Sequence, residues 1–129
     1  MSIRNQRVGE IMTTALITMK ASEMLSEADA EMKLANIRHI PVVDDTGHVL
    51  GILSSRDIAR AFGPRRGHSL VVGEIMSKGV RTVSETTTAS DAAELMIEHK
   101  ISSLPVLGDE SQLIGMVTAT DLLRVAYLD

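Results

Sequence analysis

Residues 51–57 read Gly-Ile-Leu-Ser-Ser-Arg-Asp, and 64 positions further on residues 115–121 read Gly-Met-Val-Thr-Ala-Thr-Asp. Each begins with glycine and two apolar residues, then sets a hydroxyl three places ahead of an aspartate. Working outward from this pair, residues 8–62 align with residues 72–126 without a gap, and 16 of the 55 positions are identical. Val8-Gly9-Glu10-Ile11-Met12 returns as Val72-Gly73-Glu74-Ile75-Met76, Pro41-Val42 as Pro105-Val106, and Arg60 as Arg124. So many matches in one register mark an internal duplication. Two copies are too few for a solenoid, so they are expected to cover each other's apolar faces as a pseudo-twofold pair. The repeats span residues 8–62 and 72–127, joined by residues 63–71. Within that join, Gly63-Pro64-Arg65-Arg66-Gly67-His68-Ser69 has the composition of a surface linker, in which Arg65-Arg66 either stays solvated or meets an acidic partner or a phosphate.

The same periodicities place the elements of each copy. A turn of helix at Val-Gly-Glu-Ile-Met precedes short strands expected over residues 15–19 and 79–83. Thr88-Ala89-Ser90-Asp91 has the form of a capping box, and Ala89, Ala92, Ala93 and Met96 then share one helical face. Leu25, Ala28 and Met32 make a similar stripe in the first copy. Ile40-Pro41-Val42-Val43 and Leu104-Pro105-Val106-Leu107 are apolar runs with an early proline, as strands permit. Asp44-Asp45-Thr46-Gly47 and Gly108-Asp109-Glu110-Ser111 are turn compositions, so each run should form a hairpin with the strand that follows. Helices beginning near Ser54 and Thr118 close the copies. The fold class is therefore α+β, with strand, helix, strand, strand, helix in each repeat.

Composition narrows the function classes. With 129 residues, 44% of them hydrophobic and 23% charged, the chain matches ordinary globular proteins of one compact domain. Phe62 and Tyr127 are the only aromatic residues and the formal charge is -4, so both base stacking and a basic face for phosphate backbones are missing and nucleic acid is not an expected partner. The absence of cysteine excludes disulfides, thiolate catalysis and cysteine-ligated zinc. No apolar run reaches signal-peptide or membrane-span length, which points to a cytoplasmic protein without a membrane role. His39, His48, His68 and His99 have no metal-site spacing, so no metal is expected. An enzyme ranks last, because there is no nucleophile elbow, paired-histidine motif or phosphate loop with its lysine. No catalytic residue is assigned.

Two readings of Ser54-x-x-Asp57 and Thr118-x-x-Asp121 compete. In one, the hydroxyl and the acid exchange hydrogen bonds with each other's amides and cap the helix. In the other, the same strand-to-helix junction binds a ligand: the helix start attracts phosphate, the hydroxyl donates to it, and the aspartate accepts from the vicinal hydroxyls of a ribose. The strand glycine would then let a base or sugar approach the backbone.

Paired copies that each carry an apolar-Pro-Val strand and a Gly-apolar-apolar-Ser/Thr-x-x-Asp motif resemble the cystathionine β-synthase (CBS) domain pair, also called a Bateman module. The resemblance covers residues 8–127. It implies two β-α-β-β-α repeats packed about a pseudo-twofold axis, with two clefts that take adenosyl ligands. It assigns Asp57 and Asp121 to ribose hydroxyls, and Ser54 and Thr118 to phosphate or ribose. Adenine would lie between Thr18-Met19 and residues 37–39 in one copy, and between Thr82-Val83 and residues 101–103 in the other. Ile37 and Ile101 either pack on the base or belong to the core. Arg38-His39 stands where the second copy has Ser102-Ser103, and resembles the phosphate-contacting residues of nucleotide-binding members such as the regulatory gamma subunit of the AMP-activated kinase. Arginine offers a planar fork of donors and histidine can add charge near its ordinary pKa of about 6.5. Solvation of the pair is the alternative. Because ligands of this family often converge on the middle of the pair, Arg38 could serve phosphates from either cleft; the implied sites are inequivalent, with the more polyanionic ligand near Arg38.

The resemblance implies a regulatory module that binds AMP, ADP or ATP, with NAD and S-adenosylmethionine behind them, requires no cofactor, and acts on an effector protein in trans. Phe62 and Tyr127 end their copies' final helices, where either a homodimer interface or intramolecular packing is expected. The rival function is a structural or dimerisation module whose motifs only cap helices.

Overall fold

The computed structural model describes residues 3–62 and 69–128. Arg65, Arg66 and His68 of the linker lie outside the described residues. The chain divides into two compact units, residues 17–80 and residues 1–16 with 81–129.

In residues 17–80, α2 (Leu25–Ala35) leads into β1 (His39–Val43), β2 (Val49–Ser54) and α3 (Ser55–Phe62). β1 and β2 form the expected antiparallel hairpin, with His39 opposite Ser54 and Val42 opposite Gly51, and a register shift between Val42 and Val43. Leu25, Ala28 and Met32 are buried along one face of α2 and meet Ile40, Val42, Leu53 and Ile58 in an aliphatic core. Asn36, which ends α2, adopts φ 55°, in the left-handed region that asparagine tolerates. Phe62 is partly buried against this core, so for this residue intramolecular packing is what the structure displays. The strand expected over residues 15–19 is reduced to one parallel bridge, in which the Met19 N–H donates to the Pro41 carbonyl and the Val43 N–H donates to the Met19 carbonyl.

The hairpin turn is organised by Asp44. Its Oδ1 accepts from the Thr46 hydroxyl at 2.7 Å, the Thr46 N–H at 2.9 Å and the His48 N–H at 3.0 Å. The hydrogen bond from the Thr46 side chain, followed by that from the His48 backbone, lowers the carboxyl pKa from 3.8 to about 2. A carboxyl that is more acidic when folded stabilises the protein fully above 3.8 and loses that contribution as pH falls toward 2. Asp44→Asn keeps an acceptor oxygen but cannot titrate. In thermal unfolding measured across this acid range, wild type should therefore lose more stability than the variant, and parallel curves would rule out the linkage.

In the second unit β3 (Val83–Ser84) runs parallel to β4 (Ser103–Leu107), which pairs antiparallel with β5 (Leu113–Thr118). α5 (Ala89–His99) and α6 (Ala119–Tyr127) complete it. The expected strand over residues 79–83 is thus shorter and begins at Val83. The Thr88 hydroxyl accepts from the Asp91 N–H at 3.1 Å, so only the first of the two capping-box bonds forms there. Ala92 and Met96 of α5 pack on Val83, Leu104, Val106 and Val117.

The short helices α1 (Val8–Ile11) and α4 (Val72–Ile75) each belong to the unit that holds the bulk of the other copy, which sequence repetition does not announce. Val8 is fully buried in the core built by the second copy, while Val72 is fully buried in the core built by the first. Backbone bonds fix each exchange: Val8 N–H to the Thr87 carbonyl at 2.7 Å and Gly9 N–H to Glu85 at 2.8 Å, against Val72 N–H to Glu23 at 2.8 Å and Gly73 N–H to Ala21 at 2.9 Å. The packing units are therefore displaced from the repeated sequence by one short helix. Among the described residues, no helix is long and apolar enough to cross a membrane.

Candidate adenosyl-ligand sites

In the first copy the last residue of β2 and the first residue of β1 face each other, because Ser54 pairs with His39. The Ser55 N–H donates to the Arg38 carbonyl at 2.8 Å, which anchors the residue before β1 to the start of α3. At that start the Asp57 N–H donates to Ser54 Oγ at 3.1 Å and the Ser54 N–H donates to Asp57 Oδ2 at 3.0 Å. The capping box therefore forms in full. It consumes one carboxylate oxygen only: among the described residues Asp57 Oδ1 has no partner. A carboxylate has about four lone-pair positions and a hydroxyl that accepts can still donate, so capping leaves both side chains able to hold a ligand.

Arg38, His39, Ser54 and Asp57 are thus gathered at one strand-to-helix junction. Arg38 is exposed, and its guanidinium has no partner among the described residues. His39 is half-buried; burial lowers its pKa below the ordinary 6.5, the Asp57 carboxylate raises it, and the Arg38 guanidinium lowers it. Ile37 packs against the core as a partly buried residue, as the core alternative expects. Met19 is buried in that core and Thr18 is exposed. Their parallel pairing with β1 carries Thr18 toward the His39 end of the strand.

A groove of about 370 Å³ lies beside Thr18 and Met19, but it is walled by Glu23, Glu27 and Glu31 and does not include Arg38, His39, Ser54 or Asp57. Three carboxylates make that groove hostile to phosphate. The junction at Ser54, where an arginine is exposed, is the better place for an anion.

The second copy repeats the plan with different chemistry. Ser103 faces Thr118, and the Ala119 N–H donates to the Ser102 carbonyl at 2.9 Å. The Asp121 N–H donates to Thr118 Oγ1 at 3.1 Å and the Thr118 N–H donates to Asp121 Oδ2 at 2.9 Å. Here the other oxygen is approached as well, by Arg124 Nη1 at 3.5 Å, and Asp121 is only 6% exposed. Sequence reasoning had used Arg124 only as a repeat marker, although its i,i+3 spacing from Asp121 is the signal for such a contact. Ser103 is buried, Ser102 and Thr82 are exposed, Val83 belongs to the core, and Ile101 is partly buried against it.

The expected purpose of the motif glycines is corrected by the structure. A Cβ on Gly51 would collide with the Ser77 carbonyl oxygen and lie 2.9 Å from Met76 Sδ, and one on Gly115 would lie 2.6 Å from Met12 Sδ and 3.1 Å from the Thr13 carbonyl oxygen. The space is filled by the chain that follows α4 and α1, which bridges to Ile52 and to Met116. The protein's own atoms account for both glycines: the Ser77 backbone at Gly51, and chiefly the Met12 side chain at Gly115.

Comparison with known proteins agrees with this architecture. A family model described as the CBS domain matches residues 8–63 and 72–127. The crystal structure of CBSX2 in complex with AMP superposes with a TM-score of 0.84 at 28% identity, covering 93% of this chain and 95% of that one. The CBS domain pair of protein MJ0100, in complex with 5′-methylthioadenosine and S-adenosyl-L-methionine, gives 0.84 at 32% identity over 92% of this chain and 94% of that one. The CBS domain-containing protein YhcV of Bacillus subtilis is 35% identical over 116 residues, which cover 89% of this chain and 81% of that protein. Inosine-5′-monophosphate dehydrogenase of Halobacterium salinarum is 38% identical over 109 residues, 84% of this chain but only 21% of the enzyme. With both of its copies matched, and with the hairpins and capping boxes of each copy in place, the chain belongs to the CBS domain family and carries two CBS domains.

Proposed function

We propose that this protein is a regulatory sensor of adenosyl ligands, which binds AMP, ADP, ATP or a related compound and signals its occupancy to a partner protein. The observation that carries the reading is the convergence of Arg38, His39, Ser54 and Asp57 on one junction, with an unpartnered guanidinium and an unspent carboxylate oxygen among the described residues. These groups match the parts of a nucleotide: Asp57 for the ribose hydroxyls, Ser54 and Arg38 for phosphate. The complexes of CBSX2 with AMP and of the MJ0100 pair with 5′-methylthioadenosine and S-adenosyl-L-methionine support the ligand class. Because Ser102-Ser103 replaces Arg38-His39, the first copy takes the phosphorylated ligand and the second takes a less anionic one. The reading includes no catalytic step.

Thermal denaturation with AMP, ADP, ATP, NAD and S-adenosylmethionine tests the class. A ligand present at a hundred times its Kd should add about 2.7 kcal/mol of stability. Calorimetric titration then tests the arginine: Arg38→Ala should weaken AMP by about tenfold, the loss of one charge-assisted contact, and leave adenosine unchanged. Equal AMP affinity in both proteins would remove Arg38 from the site.

A second reading has its own observation. Leu123 and Tyr127, one turn apart on α6, are 59% and 80% exposed, a surface suited to a second copy of the chain. If no adenosyl compound shifts the denaturation curve while sedimentation finds a dimer, the protein is a dimerisation module instead.

A further inference from the structure

We propose that the junction at the start of β1 makes nucleotide binding proton-linked: His39 takes a proton from solvent when a phosphorylated adenosyl ligand enters the first repeat, so occupancy of that repeat, and not of the second, depends on pH. The inference rests on the sensor reading above and adds a regulatory input to it.

The geometry comes from the hairpin. His39 is the first residue of β1 and is held opposite Ser54, so its imidazole stands beside the junction that presents the Ser54 hydroxyl and the Asp57 carboxylate, near enough for the Asp57 charge to act on it. Arg38 precedes it and is tied through its carbonyl to the Ser55 N–H. The charged groups acting on the imidazole are Asp57 of α3 and Arg38. β2 has no titratable side chain, and the exposed Arg56 and Arg60 of α3 do not perturb it. On α2, Lys33 is paired with Asp29, while Glu27 and Glu31 line the groove beside Met19. At the opposite end of β1, Lys20 pairs with the Asp45 carboxylate and donates to the Asp44 backbone carbonyl.

In the free protein burial and Arg38 together disfavour the imidazolium, and Asp57 offsets only part of this. A dianionic phosphate held by Arg38 and Ser54 changes the balance, because it neutralises the guanidinium and adds negative charge beside the ring. The pKa of His39 then rises in the complex. Between the free and bound pKa values the complex holds more protons than its separated parts, so affinity increases as pH falls through that window and is flat above it. The second copy has Ser103 at the matching position, which cannot titrate.

The test is calorimetric titration of the full chain with AMP, and separately with adenosine, in phosphate-free buffers of different ionisation enthalpy. Work above about pH 6.5 keeps AMP's own second ionisation, near pH 6, from dominating. Wild type should take up a fraction of one proton per AMP and lose about three- to tenfold in affinity between about pH 6.5 and about pH 8. His39→Gln should take up none and bind with constant affinity, and adenosine should be pH-independent in both proteins. His39→Asn is a second neutral variant, and the imidazole proton resonances of the unmodified chain, titrated with and without AMP, give the same answer without mutation. AMP binding without proton uptake, or with uptake unchanged in His39→Gln, overturns the inference and leaves the sensor intact. Failure of every adenosyl compound to bind at any pH overturns both.

Discussion

Gly51→Ala is expected to lower the unfolding free energy by about 2 kcal/mol or more, and Gly51→Val by more again, whereas Gly115→Ala should cost about 1 kcal/mol. The sequence motif is the same at both positions; the neighbours differ. At Gly51 the colliding atom is the Ser77 carbonyl oxygen, and that peptide is pinned by two bonds, Ile52 N–H to the Ser77 carbonyl at 3.0 Å and Ser77 N–H to the Ile52 carbonyl at 2.9 Å. Withdrawal of the oxygen breaks at least one of them. At Gly115 the nearest atom is Met12 Sδ, the far part of a side chain with three rotatable bonds, and the Thr13 carbonyl stands at 3.1 Å. Urea denaturation of the three variants without ligand measures the order directly. Equal costs at Gly51 and Gly115 would contradict the backbone explanation, and full stability of Gly51→Val would return the glycine to a ligand-approach role.

The fold was readable where sequence spacing and backbone geometry are the same constraint. Proline early in an apolar run, an Asp-rich turn and a second apolar run specify a hairpin, and both hairpins are present in matching registers. A hydroxyl three residues ahead of an aspartate at a helix start favours reciprocal bonds; Ser54-Asp57 and Thr118-Asp121 make both, while Thr88-Asp91 makes only the bond to the hydroxyl. Other features have no side-chain signature. A four-residue helix such as α1 buries one valine, and the backbone amides of Val8 and Gly9, not their side chains, select Thr87 and Glu85 as partners. Residues 15–19 have strand composition, yet only Met19 reaches β1, so composition overstated the pairing.

For the candidate site, the clustering of side chains at the strand-to-helix junctions was legible, and the availability of each carboxylate was not. Arg60 and Arg124 are repeat equivalents, but only Arg124 approaches its aspartate, at 3.5 Å, while Asp57 Oδ1 has no partner among the described residues. Identical letters thus give two carboxylates of different availability. His39 and Ser103 show the converse: different letters occupy the same register position, and one of them is titratable.

That difference sets the outcome of the carboxylate variants. Asp57→Asn should weaken AMP by about 30- to 100-fold, which is the loss of one or two hydrogen bonds to a charged acceptor, while altering the free protein's stability by less than about 1 kcal/mol. Asparagine still offers one oxygen to the Ser54 N–H, now held by Asp57 Oδ2 at 3.0 Å, but it replaces Oδ1 with an amide donor that cannot accept from ribose hydroxyls. Asp57→Ala should weaken AMP to the same degree and cost about 1 kcal/mol more in stability, since the return half of the capping box goes too. Asp121→Asn should have the smaller effect on ligand, because a hydroxyl reaching Oδ1 there competes with Arg124. Calorimetric titration paired with urea denaturation separates the two properties for each variant. If Asp57→Asn binds AMP as wild type does, the carboxylate only caps α3 and the ribose has no partner at this junction; a loss confined to stability would say the same.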